Sequence, residues 1–243
     1  QGGFGITYKG FDLNLEKEVA IKEFYPRGLV TRAGILSEYS NISAARASRV
    51  VALNSKSADV YNKSLNMFLK EAKILARLSK YSNVVHVYQY FTENNTAYFV
   101  MDYVKGKSLN QILKQNGRAF TENELLPLMD PILNVLEKVH AEELLHRDIA
   151  HDNIIIDEEG KPILLDFGAA KANLAGNNSD GVEPSTMSSV IVEKKGFTAI
   201  EQIDGRASVR SDIYSLGATY YYLLTKTVLP ASYLRAANDP VRP

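Results

Sequence analysis

Three clusters of residues in this chain have the types and spacing to handle phosphate. Near the start, Gly2, Gly3 and Gly5 fall within four residues, and Val19-Ala20-Ile21-Lys22 follows. A glycine turn lets backbone N–H groups approach an anion closely, but three glycines by themselves make a tight hairpin just as readily. Strand alternation sends Ala20 and Lys22 to one face, which aims a lysine at whatever the glycine turn holds. Further on, Glu71 lies in a helical pattern beside Lys70 and Lys73, and in isolation it reads as a solvated side chain. The densest cluster is His146-Arg147-Asp148-Ile149-Ala150-His151-Asp152-Asn153, with Asp166-Phe167-Gly168 following eighteen residues after Asp148. Two carboxylates and an amide at such spacing, downstream of the lysine strand, are hard to assemble by chance.

The elements that must position these groups can be read from periodicity. Residues 1–25 read as strand, turn and strand, and residues 26–57 show no period and read as an irregular insertion. Asn62 to Leu78 carries Leu65, Phe68, Leu69, Ala72, Leu75 and Ala76 at helical spacing. Val84 to Phe91 and Ala97 to Tyr103 read as strands joined at Asn94-Asn95. Lys105-Gly106-Lys107 forms a short polar link, after which Leu109–Lys114 and Leu125–His140 are helical. Ile154–Ile156 and Ile163–Leu165 form a small hairpin around Asp157 to Lys161. Ala172 to Ser189 is rich in Asn, Ser, Gly and acid, as a loop is, and Ile213–Leu224 is an apolar helix.

Composition removes several classes of function. Of 243 residues, 28 are Lys or Arg and 28 are Asp or Glu, so a nucleic-acid or anionic-membrane partner is not expected. With 45% hydrophobic and 23% charged residues the chain has material for an ordinary core. Absence of cysteine excludes disulfides, thiolate metal sites and a cysteine nucleophile. No pair among His86, His140, His146 and His151 has a zinc-site spacing. No apolar run reaches membrane-spanning length, so no membrane insertion is expected in this segment. A start at Gln1 rather than Met leads us to expect a piece of a longer protein.

In order and spacing, the glycine turn, the lysine strand, HRDIAHDN and DFG resemble a eukaryotic-type protein kinase catalytic domain of the serine/threonine class. The strings HRDIAHDN, GFTAIEQ and DIYSLGATYYYLLT are similar to bacterial members, and only the insertion after Pro26 is foreign to the resemblance. The resemblance implies an α+β, two-lobed protein-kinase-like fold: a small antiparallel β-sheet lobe with one main helix, and a larger, mostly helical lobe. The first lobe would span residues 1–101, a hinge 102–107, and the second lobe 108–243. Within the second lobe lie a catalytic loop at 146–153 and an activation segment at 166–201, with distal helices missing.

The same resemblance assigns ATP and Mg²⁺ as cofactors and a protein Ser/Thr hydroxyl as acceptor. Gly2, Gly3 and Gly5 would cover the phosphates, Lys22 would contact the α- and β-phosphates, and Glu71 would hold Lys22. Thr7, Ala20 and Ile155 would enclose adenine, with Asp102 to Val104 as hinge and Met101 beside it. Asp148 would be the catalytic base, Asp166 and Asn153 the metal ligands, and Asp212 the brace of the catalytic loop. A cytoplasmic location follows, with any membrane anchor lying outside this segment.

Several positions depart from the pattern. The chain begins inside the glycine turn, and Glu201 of Ala199-Ile200-Glu201 is expected to lack the arginine that the family supplies beyond Pro243. Ala150 stands where serine/threonine kinases carry a lysine, and Lys194, counted back from Glu201, is expected to restore that cation. Arg147, with Lys171 as a second cation, implies control by phosphorylation within residues 179–189, where Ser185, Thr186, Ser188 and Ser189 are acceptors. Two readings from other classes stay open at this point. One is a pseudokinase that binds nucleotide or acts as a scaffold, and the other is a small-molecule phosphotransferase of the aminoglycoside type.

Overall fold

Lys17–Phe24 runs inside the first sheet, with Val19, Ala20, Glu23 and Phe24 buried. The computed structural model describes residues 5–36, 44–167 and 194–241, and these divide into two compact units. One consists of Gln1–Ser79 with His86–Tyr103, and the other of Lys80–Val85 with Val104–Pro243.

In the first unit, β1 (Gly5–Asp12) and β2 (Lys17–Phe24) form an antiparallel hairpin. The sheet is completed by β5 (Val87–Glu93) and β6 (Thr96–Asp102) in the order β1-β2-β6-β5. Asn94 and Asn95, with φ of 51° and 58°, form the two-residue turn between β5 and β6. Asparagine accepts that left-handed backbone more readily than most residues, and two such residues in succession match the twist of a hairpin. A single long helix, α3 (Ser55–Leu78), packs on this sheet, capped where the Asn54 side chain accepts the Ser57 N–H at 2.8 Å. Its buried face repeats at three- and four-residue steps through Tyr61, Ser64, Phe68, Glu71, Ala72, Leu75 and Leu78. The ring of Phe68 lies 5.3 Å from that of Phe24 and 5.0 Å from that of Phe99, which seats the helix on β2 and β6.

The insertion is more ordered than its sequence suggests. It contains β3 (Val30–Arg32), α1 (Ala33–Leu36), α2 (Ala44–Ala47) and β4 (Val50–Ala52), and β3 pairs antiparallel with β4. Arg32 ties it to the main sheet: its guanidinium donates to Glu23 Oε2 at 2.6 Å, and Glu23 also accepts from Tyr8 and Tyr98 hydroxyls at 2.8 and 2.9 Å. Glu23 is wholly buried, so these three donors replace the water that its carboxylate gave up. α3 also begins seven residues earlier than the apolar period implies, because its first turns are polar and held by the cap.

The second unit opens with a small antiparallel sheet, β7 (Gly106–Ser108), β8 (Ile154–Asp157) and β9 (Pro162–Leu164). The polar link read at Lys105-Gly106-Lys107 is thus partly strand. Lys80–Val85 belongs to this unit because Asn83 donates through Nδ2 to Pro162 O at 2.8 Å and Val85 N to Leu164 O at 3.2 Å. Helix α4 (Leu109–Asn116) starts in a Ser108/Gln111 capping box. α5 (Glu122–Ala141) buries Leu125, Met129, Ile132, Val135, Leu136 and Val139 along one face. α6 (Ile200–Ile203), α7 (Val209–Thr225) and α8 (Ser232–Ala237) complete the unit. No helix among the described residues is long and apolar enough to cross a membrane.

Candidate functional site

The lysine of the first unit is placed by two parallel side-chain steps. Lys22 and Phe24 share a face of β2, and Phe68 and Glu71 share a face of α3. Once Phe68 packs on Phe24, Glu71 sits one helical step further along and meets Lys22, with Nζ 3.2 Å from Oε1. Both partners are nearly withdrawn from water, with side-chain exposures of 15% and 4%. The ammonium also lies 5.3 Å from the centre of the Phe99 ring. Glu71 is therefore no solvated side chain, and the fold brings together the two residues that the resemblance pairs.

Around this pair, Ala20 is buried opposite Lys9 and Met101, and Thr7 is exposed opposite Lys22. Gly5 lies in β1 opposite Phe24, where a Cβ would stand 2.7 Å from Glu23 O, so close strand packing already demands glycine there. Met101 is buried at the end of β6. Asp102 gives its backbone N–H to His86 O at 2.9 Å, while its carboxylate accepts from Tyr88 and lies 3.7 Å from Lys17. Gly2 and Gly3 lie outside the described residues.

In the second unit the loop 146–153 is held mainly by one buried carboxylate. Asp212, in the first turn of α7, accepts the backbone N–H groups of His146 and Arg147, each at 2.8 Å, and His140 Nε2 at 2.9 Å. The Ser208/Ser211 box starts that helix and fixes where Asp212 points. Arg147 takes a left-handed φ of 64°, a conformation that costs about 1–2 kcal/mol for a residue with a side chain. Its N–H bond to Asp212 and the Gln202 amide that donates to its carbonyl at 2.8 Å hold it there. His146 is fully buried; Nε2 donates to Leu165 O at 2.9 Å and Nδ1 accepts from Asp148 N at 3.2 Å. Burial pushes this imidazole below the ordinary histidine range, against the pull of Asp212 and Asp148. A neutral ring is also what the two bonds require, since one nitrogen donates and the other accepts.

Asp148 stands at the centre of this loop. Asn153 donates through Nδ2 to Asp148 O at 2.7 Å and to Oδ2 at 2.8 Å. Lys194 brings Nζ to 3.3 Å from the other carboxylate oxygen, Oδ1. Asp152, next to Asn153, is held at about 2 by His151 first and by the Asn110 amide, which donates to it at 2.7 Å. Asp166 follows β9 with a φ of 48°, and Phe167 beside it is buried against the His146 ring, 4.4 Å between centres. Ile155 is half-buried on β8 between Ser108 and Ile163, and Val104 is half-buried before β7.

The structure adds two details to the sequence reading. Glu201, expected to lack an arginine, accepts the Ser211 hydroxyl at Oε1 at 2.6 Å, and α6 and α7 supply both residues. His140, which spacing alone left without a role, contacts Asp212; only the 72-residue separation of that pair kept it from view. Gly168, Lys171, Ser185, Thr186, Ser188, Ser189 and the proposed phosphorylated stretch 179–189 lie outside the described residues. Among the described residues no cluster of three or more His, Asp or Glu could hold a metal unaided, so a cation here would need ligands from a bound phosphate.

These features can be set beside known proteins. Residues 33–236 match the protein kinase domain model. The chain is 39% identical over 169 residues to serine/threonine-protein kinase PknA of Nostoc sp., covering 68% of this chain and 29% of that protein. It is 31% identical over 236 residues to serine/threonine-protein kinase D of Synechocystis sp., covering 96% of this chain and 40% of that one. The chain thus spans less than half the length of these curated relatives. Among solved structures, the apo form of PpkA-294 superposes with a TM-score of 0.81 at 33% identity, over 100% of this chain and 79% of the other. Both the fold and the loop that surrounds Asp148 are those of the protein kinase domain family, in its serine/threonine class, and the chain belongs to it.

Proposed function

We propose that this domain transfers the γ-phosphoryl group of ATP to serine or threonine hydroxyls of protein substrates, with Mg²⁺ as the companion cation, in the cytoplasm where ATP is supplied. The observation that carries this reading is the state of Asp148: a carboxylate fixed by Asn153 on one oxygen and facing an ammonium on the other. A carboxylate so oriented can accept a hydroxyl proton at hydrogen-bonding distance and aim the oxygen for in-line attack.

Asn153 and Asp166 suit a hard cation. The N–H side of the Asn153 amide is spent on Asp148, which reserves its oxygen for a metal, and Asp166 adds a carboxylate. When bound, Mg²⁺ neutralises charge on the phosphates. Lys22, steadied by Glu71, binds the α- and β-phosphates, on the strand that pairs with the one Gly5 opens. The Asp102 N–H is already given to His86; in the first unit Ala20, Thr7 and Met101 suit contact with the base, and in the second Ile155 does, with the Val104 N–H as a donor.

Incubating the chain with labelled ATP, Mg²⁺ and a generic protein substrate tests the reading. Label in protein, lost in Asp148→Asn, supports it. Label in a small molecule, or bound nucleotide without transfer, would replace it with one of the two other classes.

A further inference from the structure

Phosphoryl transfer brings a polyanionic group beside the carboxylate that takes the hydroxyl proton, and two like charges at that range repel. A cation placed there relieves that repulsion. The position two residues after Asp148 is Ala150, which is buried and brings no charge. An ammonium reaches Asp148 from Lys194, on a segment 46 positions away in the chain.

The segment is built to hold that lysine. Its carbonyl accepts the N–H of Phe197 at 2.8 Å and of Thr198 at 3.3 Å, closing a turn directly after the side chain. Gly196 sits in that turn at φ 86°, and a Cβ there would stand 2.3 Å from Leu229 O, so the backbone is pressed against the irregular stretch before α8. Phe197 is buried edge-on to the ring of His151, 5.1 Å between centres, and of Tyr222, 5.8 Å. His151 belongs to the same loop as Asp148, so the anchor of Lys194 and the carboxylate it meets share one packed cluster. Lys195, the next residue, is exposed.

We infer that Lys194 is a catalytic residue: its ammonium holds Asp148 Oδ1 before substrate binds and donates to an oxygen of the γ-phosphoryl group during transfer. The inference rests on the phosphotransfer reading above. In the step itself, the substrate hydroxyl oxygen forms a bond to the γ-phosphorus as the bond from that phosphorus to its bridging oxygen breaks. The electron pair leaves on ADP, the hydroxyl proton passes to the Asp148 carboxylate, and Lys194 keeps its protons throughout. A substrate oxygen within hydrogen-bonding reach of Asp148 places the phosphoryl oxygens two bonds further on, through the γ-phosphorus, within the span of an ammonium already 3.3 Å from the carboxylate.

The test compares the full chain with Lys194→Met, Lys194→Arg and Lys195→Met, reading kcat for protein phosphorylation, ATP affinity by titration of a fluorescent ATP analogue, and the thermal midpoint. Lys194→Met is expected to lower kcat about a hundredfold, as loss of one preorganised charge donor does, with ATP affinity and midpoint unchanged. Lys194→Arg restores most of the rate because it keeps the cation, and Lys195→Met matches wild type. Equal rates for Lys194→Met and Lys195→Met overturn the inference while leaving the kinase reading intact. A fall in kcat matched by a fall in ATP affinity or midpoint overturns it too, since that is loss of structure and not of transition-state charge. A wild-type chain that transfers nothing overturns the kinase reading and this inference with it.

Discussion

The two units hold their functional side chains by opposite means. Lys22 is steadied by an ion pair to Glu71, between elements that meet because Phe68 packs on Phe24. The loop that carries Asp148 is kept in place by backbone donors: two N–H groups converge on Asp212, and His146 is pinned through both ring nitrogens. The first arrangement can lose its polar contact and keep its packing. The second cannot, because removing the acceptor strands buried N–H groups at once. The difference predicts that damage in the strand-rich unit appears in rate, and damage beneath the catalytic loop appears in stability.

The largest effect should be purely chemical. Asp148→Asn keeps size and can still bond Asn153, so the fold should survive, yet it removes the carboxylate proposed to take the hydroxyl proton; kcat is expected to fall about a thousandfold. Transfer assays with a parallel melt check it, and a large drop in midpoint would show that Asp148 holds the loop and not the reverse. Next comes Asp212→Asn, which turns one acceptor oxygen toward donors as another donor. Chemical denaturation should show about 3 kcal/mol of lost stability. If this variant folded as well as wild type and lost only activity, the contrast between the two units would fail.

How far the sequence disclosed this arrangement depends on where the chemistry lies along the chain. Asp148, Asn153 and Asp166 stand out in the sequence because they fall in short contiguous strings whose order is distinctive, and the structure bonds Asn153 to Asp148. The pairing of Lys22 with Glu71 was legible only through resemblance, since nothing local marks Glu71 as buried. The strands β3 and β4 were not legible at all: three-residue strands have no period to read, and the bond that docks them joins Arg32 to Glu23, both charged residues that pattern alone assigns to solvent. β7 was hidden for the same reason, as Gly106–Ser108 is too short and polar to look like a strand. The contact of His140 with Asp212 depends on how α5 lies against α7, a tertiary fact with no trace in spacing. Lys194 was found by counting from Glu201, but its 3.3 Å approach to Asp148 and the packing of Phe197 that sets it came from the structure.

A middle-sized effect should separate rate from stability on the other side of the comparison. Glu71→Gln preserves shape and leaves an amide oxygen for Lys22 while removing the charge. Because both side chains are largely buried, the change should lower the transfer rate about tenfold, equivalent to about 1.4 kcal/mol in the barrier, and the midpoint should shift less than in Asp212→Asn. A Glu71→Gln chain that melts as early as Asp212→Asn would erase the distinction.

The smallest effect is a dependence on pH. His146 is neutral in the folded chain because burial lowers its affinity for a proton below the usual 6.5. The unfolded chain, with an ordinary histidine, takes up that proton as the pH falls through about 6.5, so it binds more protons than the native state there and stability declines. For one such group the slope cannot exceed about 1.4 kcal/mol per pH unit, and it begins well above the range where carboxylates titrate. Urea midpoints at pH 7.5, 6.5 and 5.5 should therefore drift downward in wild type. In His146→Phe, which fills the space beside Phe167 without a titrating group, the starting midpoint should be lower because the Leu165 and Asp148 bonds are lost, but the drift should be shallower. An equally steep drift in that variant would assign the pH dependence to another residue and remove His146 from the list of groups by which the catalytic loop pays for its burial.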